Sequence, residues 1–207
     1  MARSNLSGQT VRLRVIALET PHLIRHCLQC GRQSRFVSSD RFRMNAHQRQ
    51  IDVWLIYRCQ RCETTWNCPL FLRCRPGDLD EALYHQLQVN DRAAAWRYAF
   101  DAERFQRLHI PADFAVPYRT EYDPVAPAIG EGHHVNLELE LTMPCQVRLD
   151  RLLAGALDIS RTQVQRWLKQ GRLDVHPNRP QALRKVAQSG QCIVIRQAPA
   201  KPFKTYS

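Results

Sequence analysis

What this chain lacks narrows the reading first. No run of apolar residues approaches membrane-spanning length, so a helical membrane protein is not expected. Met1 to Gln9 contain no apolar signal-type core. Nothing in that stretch points to an oxidising compartment, so the expected location is the cytoplasm, with reduced cysteines. Lysine is scarce: of thirty basic residues only four are Lys and twenty-six are Arg. Arginine is the better bidentate phosphate partner, although a genome rich in Arg codons produces the same ratio. There is no nucleophile–base string and no glycine loop of the phosphate-cradling kind, so no reaction is legible.

The charge that is present is segregated. The 207 residues carry a formal +11. Residues 1–77 hold 13 basic against 4 acidic side chains, a net +9; residues 78–145 hold 5 against 12, a net −7; residues 146–207 hold 12 against 3, again +9. A polyanion responds to the local field within a Debye length of about 8 Å, not to the chain average. Both ends are therefore expected to favour nucleic acid and the middle is not.

Eight cysteines include two balanced pairs, Cys27-x-x-Cys30-Gly31 and Cys59-x-x-Cys62, separated by twenty-eight residues. Two residues between thiols let the backbone turn back, so each pair can supply two corners of a tetrahedral Zn²⁺ shell. Strand-like Arg35–Val37 and Ile51–Tyr57 lie between the pairs. The expectation is a zinc ribbon of about fifty residues, too small to fold on apolar burial alone. Disulfides are disfavoured by the expected compartment, and a redox dithiol by the absence of a helix at either pair. Catalytic zinc would need an open coordination position that four thiolates do not leave. Cys68, Cys74, Cys145 and Cys192 share no ligand spacing and read as ordinary thiols. Between the pairs, Arg41-Phe42-Arg43-Met44-Asn45-Ala46-His47-Gln48-Arg49 reads as a loop or hairpin tip. Arg41, Arg43 and Arg49 could grip a nucleic-acid backbone there while Phe42 stacks a base; alternatively Phe42 packs inward and the turn is only solvated.

The middle reads as scaffold. Asp78-x-x-Glu81 is a capping-box-like helix start, with Leu79, Ala82, Leu83 and Leu87 on one side. A second helix after Asn90 places Ala95, Tyr98, Ala102 and Phe105 on one stripe and stops at Pro111. The acids near these helix starts are expected to complement helix dipoles rather than to catalyse. Prolines and glycines over 111–132 mark an irregular connection. Val135, Leu137, Leu139 and Leu141 then alternate with polar residues, as do Val11, Leu13 and Val15 with Arg12 and Arg14. Pairing those strands would set Arg12 and Arg14 against Glu138 and Glu140.

The last third carries the most specific pattern. Leu149, Leu152, Leu153 and Ala156 recur at helical spacing. Ser160 stands as the N-cap of a second helix, from Arg161 to about Gln170, and Gly171 stands where positive φ is wanted. Val164, Trp167 and Leu168 should face inward, leaving Arg161, Gln163, Arg166 and Lys169 toward water, with Arg172 beyond the cap. Leu173–Val175 and Cys192–Ile195 read as strands, the latter entered through Ser189-Gly190-Gln191.

The ordered string Arg148-Leu149-Asp150, Ser160-Arg161, Gly171 and Gly190-x-x-Ile193-Val194-Ile195 resembles the small RNA-binding domain named after ribosomal small-subunit protein four. That domain also occurs in pseudouridine synthases, tyrosyl-tRNA synthetases and a ribosome-binding heat-shock protein. The chain departs from it at Gly190-Gln191, where Gly-Asp is usual, and at His176-Pro177-Asn178, where Asn-Gly is common. The resemblance implies docking on structured RNA, ribosomal or transfer, through Arg148, Arg161, Gln163, Arg166, Lys169 and Arg172. Over its length the chain also resembles an uncharacterised bacterial family, through the Cys27 pair, Arg41–His47, Asp52–Cys59, Cys62-x-x-Thr65-Trp66-Asn67 and Arg148-Leu149-Asp150. That likeness implies an architecture but no reaction.

The expectation is an α+β chain: strand and zinc ribbon over 1–77, an acidic helical segment and connection over 78–132, and a strand plus RNA-binding domain over 133–200. Its expected role is non-enzymatic RNA binding, on or near the ribosome, with a structural Zn²⁺ and no membrane partner. A zinc-ribbon DNA-binding regulator and an RNA-modifying enzyme with an accessory RNA-binding domain are the alternatives.

Overall fold

The computed structural model describes residues 9–123 and 134–196. Their elements are β1 (Gln9–Ala17), β2 (His22–Cys27), β3 (Arg32–His47), β4 (Gln50–Cys59), β5 (Thr65–Cys74), α1 (Glu81–Gln88), α2 (Arg92–Ala99), α3 (Ala102–Arg107), β6 (Ala112–Asp113), β7 (Tyr118–Asp123), β8 (Val135–Leu141), α4 (Leu149–Ala156), α5 (Arg161–Lys169), β9 (Leu173–His176) and β10 (Cys192–Ile195). The described residues form an α+β fold with two five-stranded sheets. No helix among the described residues is long and apolar enough to cross a membrane.

The chain divides into two compact units, one of residues Glu19–Val116 and the other of Met1–Leu18 with Pro117–Ser207. This differs from the expected division at 77 and 132. Helices α1 and α2 pack on β3, so the acidic segment joins the cysteine-bearing sheet, while β1 leaves it for β8.

In the cysteine unit the strand order is β5-β4-β3-β2-β6, all antiparallel. Val53, Leu55 and Tyr57 of β4 face the helices and are buried. Pro69 is accommodated in β5 because that strand is an edge and needs no donor on its outer side. Three expectations are corrected here. Most of Arg41–Arg49 is strand instead of loop: β3 runs through His47, only Gln48 and Arg49 form the hairpin tip of the other reading, and Phe42 takes the inward alternative, buried edge-on against Tyr98 of α2. The N-cap of α1 is Asp80 rather than Asp78, whose carboxylate accepts from the Arg75 N–H in a preceding turn. The helix expected after Asn90 is two helices, because Asp101 caps a fresh start at α3. Asp80, Asp91 and Asp101 all accept a backbone N–H at a helix start, which is the structural role expected of the acids here.

In the other unit the order is β7-β1-β8-β10-β9. β1 and β8 are parallel, with Arg12 opposite Glu138 and Arg14 opposite Glu140. Arg12 and Arg14 both reach Glu140, at 3.4 and 3.8 Å, as the charge alternation foretold. β7, like β6 before it, is a strand within the stretch 111–132 expected to be irregular; residues 124–132 of that stretch lie outside the described residues. Val11, Leu13, Leu137, Leu149, Leu152, Leu153, Val164 and Ile193 belong to one buried cluster that joins the sheet to α4 and α5. The Tyr122 hydroxyl donates to the Ala156 carbonyl at the end of α4, 2.7 Å away.

Candidate metal centre and basic helix face

Cys27 ends β2 and Cys59 ends β4, strands that both flank β3. Each is followed by a tight turn that returns the second thiol of its pair. Gly31 donates to the Cys27 carbonyl and Glu63 to the Cys59 carbonyl, both at 2.9 Å, and both turn residues have positive φ, 66° and 60°. Cys27 and Cys62 sulfurs are 3.5 Å apart, and Cys30 and Cys59 sulfurs 3.9 Å. All four sulfurs lie within 4.8 Å of one another. Tetrahedral Zn–S bonds of about 2.3 Å would put sulfurs about 3.8 Å apart, so the cluster has the dimensions of a four-thiolate site.

The thiols divide their protons unevenly. Cys62 is drawn down to about 6 because the Thr64 hydroxyl and backbone N–H favour its thiolate. Cys30 is pushed up to about 12, first by its hydrogen bond with Cys62. Burial opposes ionisation of Cys59, but the N–H groups of Arg61 and Cys62 outweigh it and pull that thiol down. Four adjacent thiolates repel, so full ionisation requires a cation among them. The donor set fits a metal ion. His26 is exposed and lies outside the cluster.

The remaining cysteines are free thiols. Burial pushes Cys68 up to about 12 and Cys145 to about 11, and raises Cys74 and Cys192. They are poor nucleophiles at neutral pH.

The second feature is built on α4 and α5. Ser160 accepts the Gln163 N–H at 3.1 Å, and Gly171 follows α5 with φ 67°, both as the sequence indicates. Between the helix starts sits Asp150, with a side chain fully sealed from solvent. Arg148 donates to it from Nε at 3.2 Å and Nη2 at 2.8 Å. Arg161 donates from Nε at 3.3 Å and Nη2 at 2.9 Å. Burial alone would raise the Asp150 pKa, but the hydrogen bonds and charges of Arg161 and Arg148 overcome it and hold the carboxyl below its usual value. The two guanidiniums are 46% and 52% exposed, so they stand at the surface on a buried anchor.

Residues 44–179 match the family described as protein of unknown function (DUF1062). The chain belongs to that family. The match takes in Cys59, Cys62, Arg148, Asp150 and Arg161 and begins after Cys27 and Cys30. No curated protein matches the chain, and no solved structure does.

Within this DUF1062 member the six residues expected at an RNA contact separate by environment. Arg148, Arg161, Arg166 and Lys169 are exposed, whereas Gln163 and Arg172 are half-buried. Arg166 donates to Gln163 at 3.4 Å. Arg172 lies over the Trp167 ring at 4.7 Å, with its Nε buried. Leu168, expected inside, is 37% exposed. Arg41, Arg43 and Arg49 are exposed in the other unit.

The sequence reading overlooked two groups. Asp150 enters the sequence reading only as a member of the Arg148-Leu149-Asp150 string, with no role of its own, and the basic residues that open each helix are the one signal for its two partners. Arg184 and Lys185 are exposed beside the start of α4, where Leu149 donates to the Lys185 carbonyl at 2.9 Å and Arg148 bridges Val186. An adjacent basic pair between two strands was their only signal.

Proposed function

We propose that this chain is a non-enzymatic RNA-binding protein that contacts structured ribosomal or transfer RNA through α4 and α5, while its four clustered cysteines hold a structural zinc ion. The helix pair is then an RNA-binding domain of the ribosomal-protein-four type, and the cysteine unit an enlarged zinc ribbon. The observation that carries the reading is the Asp150 anchor. A solvent-sealed carboxylate holding two surface guanidiniums fixes their planes in advance, so less side-chain freedom is lost when a phosphate docks. Each guanidinium spends its Nε and Nη2 on Asp150 and keeps Nη1 for an outside acceptor. Arg166, Lys169, Arg184 and Lys185 add exposed positive charge from the same unit. Phosphate contacts of this kind position an RNA, and its folded shape supplies selectivity. Thiolates are ordinary ligands of structural zinc, and a closed four-sulfur shell leaves no position for catalysis.

Arg161 is a poor site to mutate, because its loss strands a buried acid. Arg166→Glu with Lys169→Glu reverses two exposed charges without touching Asp150. The double variant is expected to weaken binding of a transfer RNA at least tenfold while it still folds, with a melting temperature lower by only a few degrees because both basic residues stand in the last turn of α5. If about five phosphates are neutralised, the wild-type log–log salt slope should be about −3 to −4. Unchanged affinity would remove the helix pair from the site, and preference for duplex DNA over transfer RNA in competition would favour a DNA-binding regulator.

A further inference from the structure

The sheet of the cysteine unit has one face under helices and one face open. On β4 the buried Val53, Leu55 and Tyr57 alternate with Trp54, Ile56 and Arg58, which therefore point to the opposite side. Register carries that side onto β3: Arg43 lies opposite Trp54, Val37 opposite Arg58, and Arg35 two residues further along. Arg35, Arg43 and Arg58 are exposed, and Val37, Trp54 and Ile56 are half-buried. The Arg43 guanidinium sits 5.9 Å from the Trp54 ring centroid. Two acids adjoin this face and both are engaged. Asp52 accepts the Arg73 N–H at 2.7 Å, and Asp113 meets Arg35 at 3.5 Å in an exposed pair of little strength.

We propose that this open face is a second nucleic-acid site, which binds an unpaired RNA segment by stacking a base on Trp54 and holding the backbone with Arg43, Arg58 and Arg35. Charge complementarity favours a polyanion: Arg35, Arg43 and Arg58 stand on this face against Asp52 and Asp113, and residues Glu19–Val116 together hold 14 basic against 11 acidic side chains, a net +3. The indole selects among polyanions. A flat ring beside the aliphatic Ile56 and Val37 offers a stacking platform that a paired base cannot reach and an acidic peptide does not need. Trp54 and Arg58 are separated by about 13 Å along the strand, so base and backbone contacts are spread over more than one nucleotide. Phe42, the base-stacking residue that the sequence suggested, is buried on the other face and takes no part. The site lies in a different unit from α4 and α5 and does not depend on their role.

The test uses the full, zinc-loaded chain and a fluorescent oligouridine of about twelve nucleotides, followed by anisotropy. Trp54→Ala is expected to weaken binding by about five- to 150-fold, the range of one lost base stack, and Trp54→Phe to keep most of the affinity. Arg58→Glu should weaken binding and flatten the salt slope by about one. Trp54→Ala should leave transfer-RNA binding unaltered, and Arg166→Glu with Lys169→Glu should leave oligouridine binding unaltered, so the two sites fail separately. Metal content and melting report on folding; if Trp54→Ala does not fold, Arg35→Glu and Arg58→Glu, both at exposed side chains, carry the test. The proposal is overturned if Trp54→Ala binds like wild type, if Phe is no better than Ala, if neither Arg variant weakens binding, or if polyglutamate displaces oligouridine as well as unlabelled RNA does.

Discussion

The two units each set a five-stranded sheet against helices, yet they are held by different means. The cysteine unit is built from neighbours in sequence: β2, β3, β4 and β5 pair in order, all antiparallel. Two turns at one end of that sheet converge on four sulfurs within 4.8 Å. The other unit pairs residues far apart in sequence, Gln9 beside Val135, in a parallel register that no hairpin enforces. Its cohesion comes from an apolar cluster that runs from Val11 to Ile195. Local strand pairing costs little loop-closure entropy but needs a clasp at its open end, whereas distant pairing must be repaid by burial. The cysteine unit also buries a core of its own, with Leu23, Phe36, Leu55, Tyr57, Leu87 and Phe105, so an ion at its open end should add to that burial, and the other unit should not notice the ion.

Metal removal is the strongest way to break that contrast. Structural zinc contributes about 10–16 kcal/mol of apparent binding energy in small domains, more than such a domain's net stability. Chelation, or Cys59→Ser, should open residues Glu19–Val116 to proteolysis and shift the emission of Trp54, Trp66 and Trp96, which all lie there. Trp167, in the other unit and 4% exposed, should keep its buried emission in a variant with the other three tryptophans replaced by Phe. If both units resist the chelator, the clustered thiols are not a structural metal site.

Asp150→Asn turns the comparison to the second unit. The amide cannot balance two guanidiniums, and breaking hydrogen-bonded charge pairs on a sealed acid should cost about 2–4 kcal/mol. The melting temperature should fall while bound metal stays constant. Because the folded pKa is depressed, the carboxylate stabilises the fold throughout the neutral range and loses that contribution as pH drops below the ordinary carboxylate value of about 4 and on through the folded value. Wild type should therefore show a destabilisation in acid that Asp150→Asn lacks. An equal acid response in both would mean that other carboxylates control it.

How much of this was legible depended on whether the signal was local. The thiol pairs were readable from spacing, and Leu149, Leu152, Leu153 and Ala156 from helical periodicity, because each pattern is complete within one turn or one helix. Even the β1–β8 pairing could be inferred, since Arg12 and Arg14 alternate with apolar residues just as Glu138 and Glu140 do. Asp150 was not, because its meaning is set by where Arg161, on another helix, comes to rest. The length of β3 was hidden for a related reason. Its open face tolerates Arg41, Arg43 and Asn45, so a strand of 16 residues looks like a polar loop. Leu168 followed the helical stripe but ended up 37% exposed, because periodicity gives direction and not the reach of the neighbouring element. The break between α2 and α3 turned on a single Asp101 cap inside an otherwise continuous apolar pattern.

The smallest effect expected separates folding from binding within one helix pair. α5 is capped by Ser160, whereas α4 starts at Arg148 with no side-chain cap and relies on the Asp150 clamp beneath it. Ser160→Ala removes the acceptor for the Gln163 N–H and should cost about 1 kcal/mol, a melting-temperature decrease of a few degrees. Ser160→Asp restores an acceptor and complements the helix dipole, so stability should return. The new carboxylate, however, would stand one residue from Arg161, where an incoming phosphate is expected. Stability and RNA affinity should then move in opposite directions, with Asp stable but weakly binding and Ala less stable but binding normally once folded. If Asp binds RNA as tightly as Ser, phosphate does not approach the start of α5, and the contact must be sought toward Arg166 and Lys169.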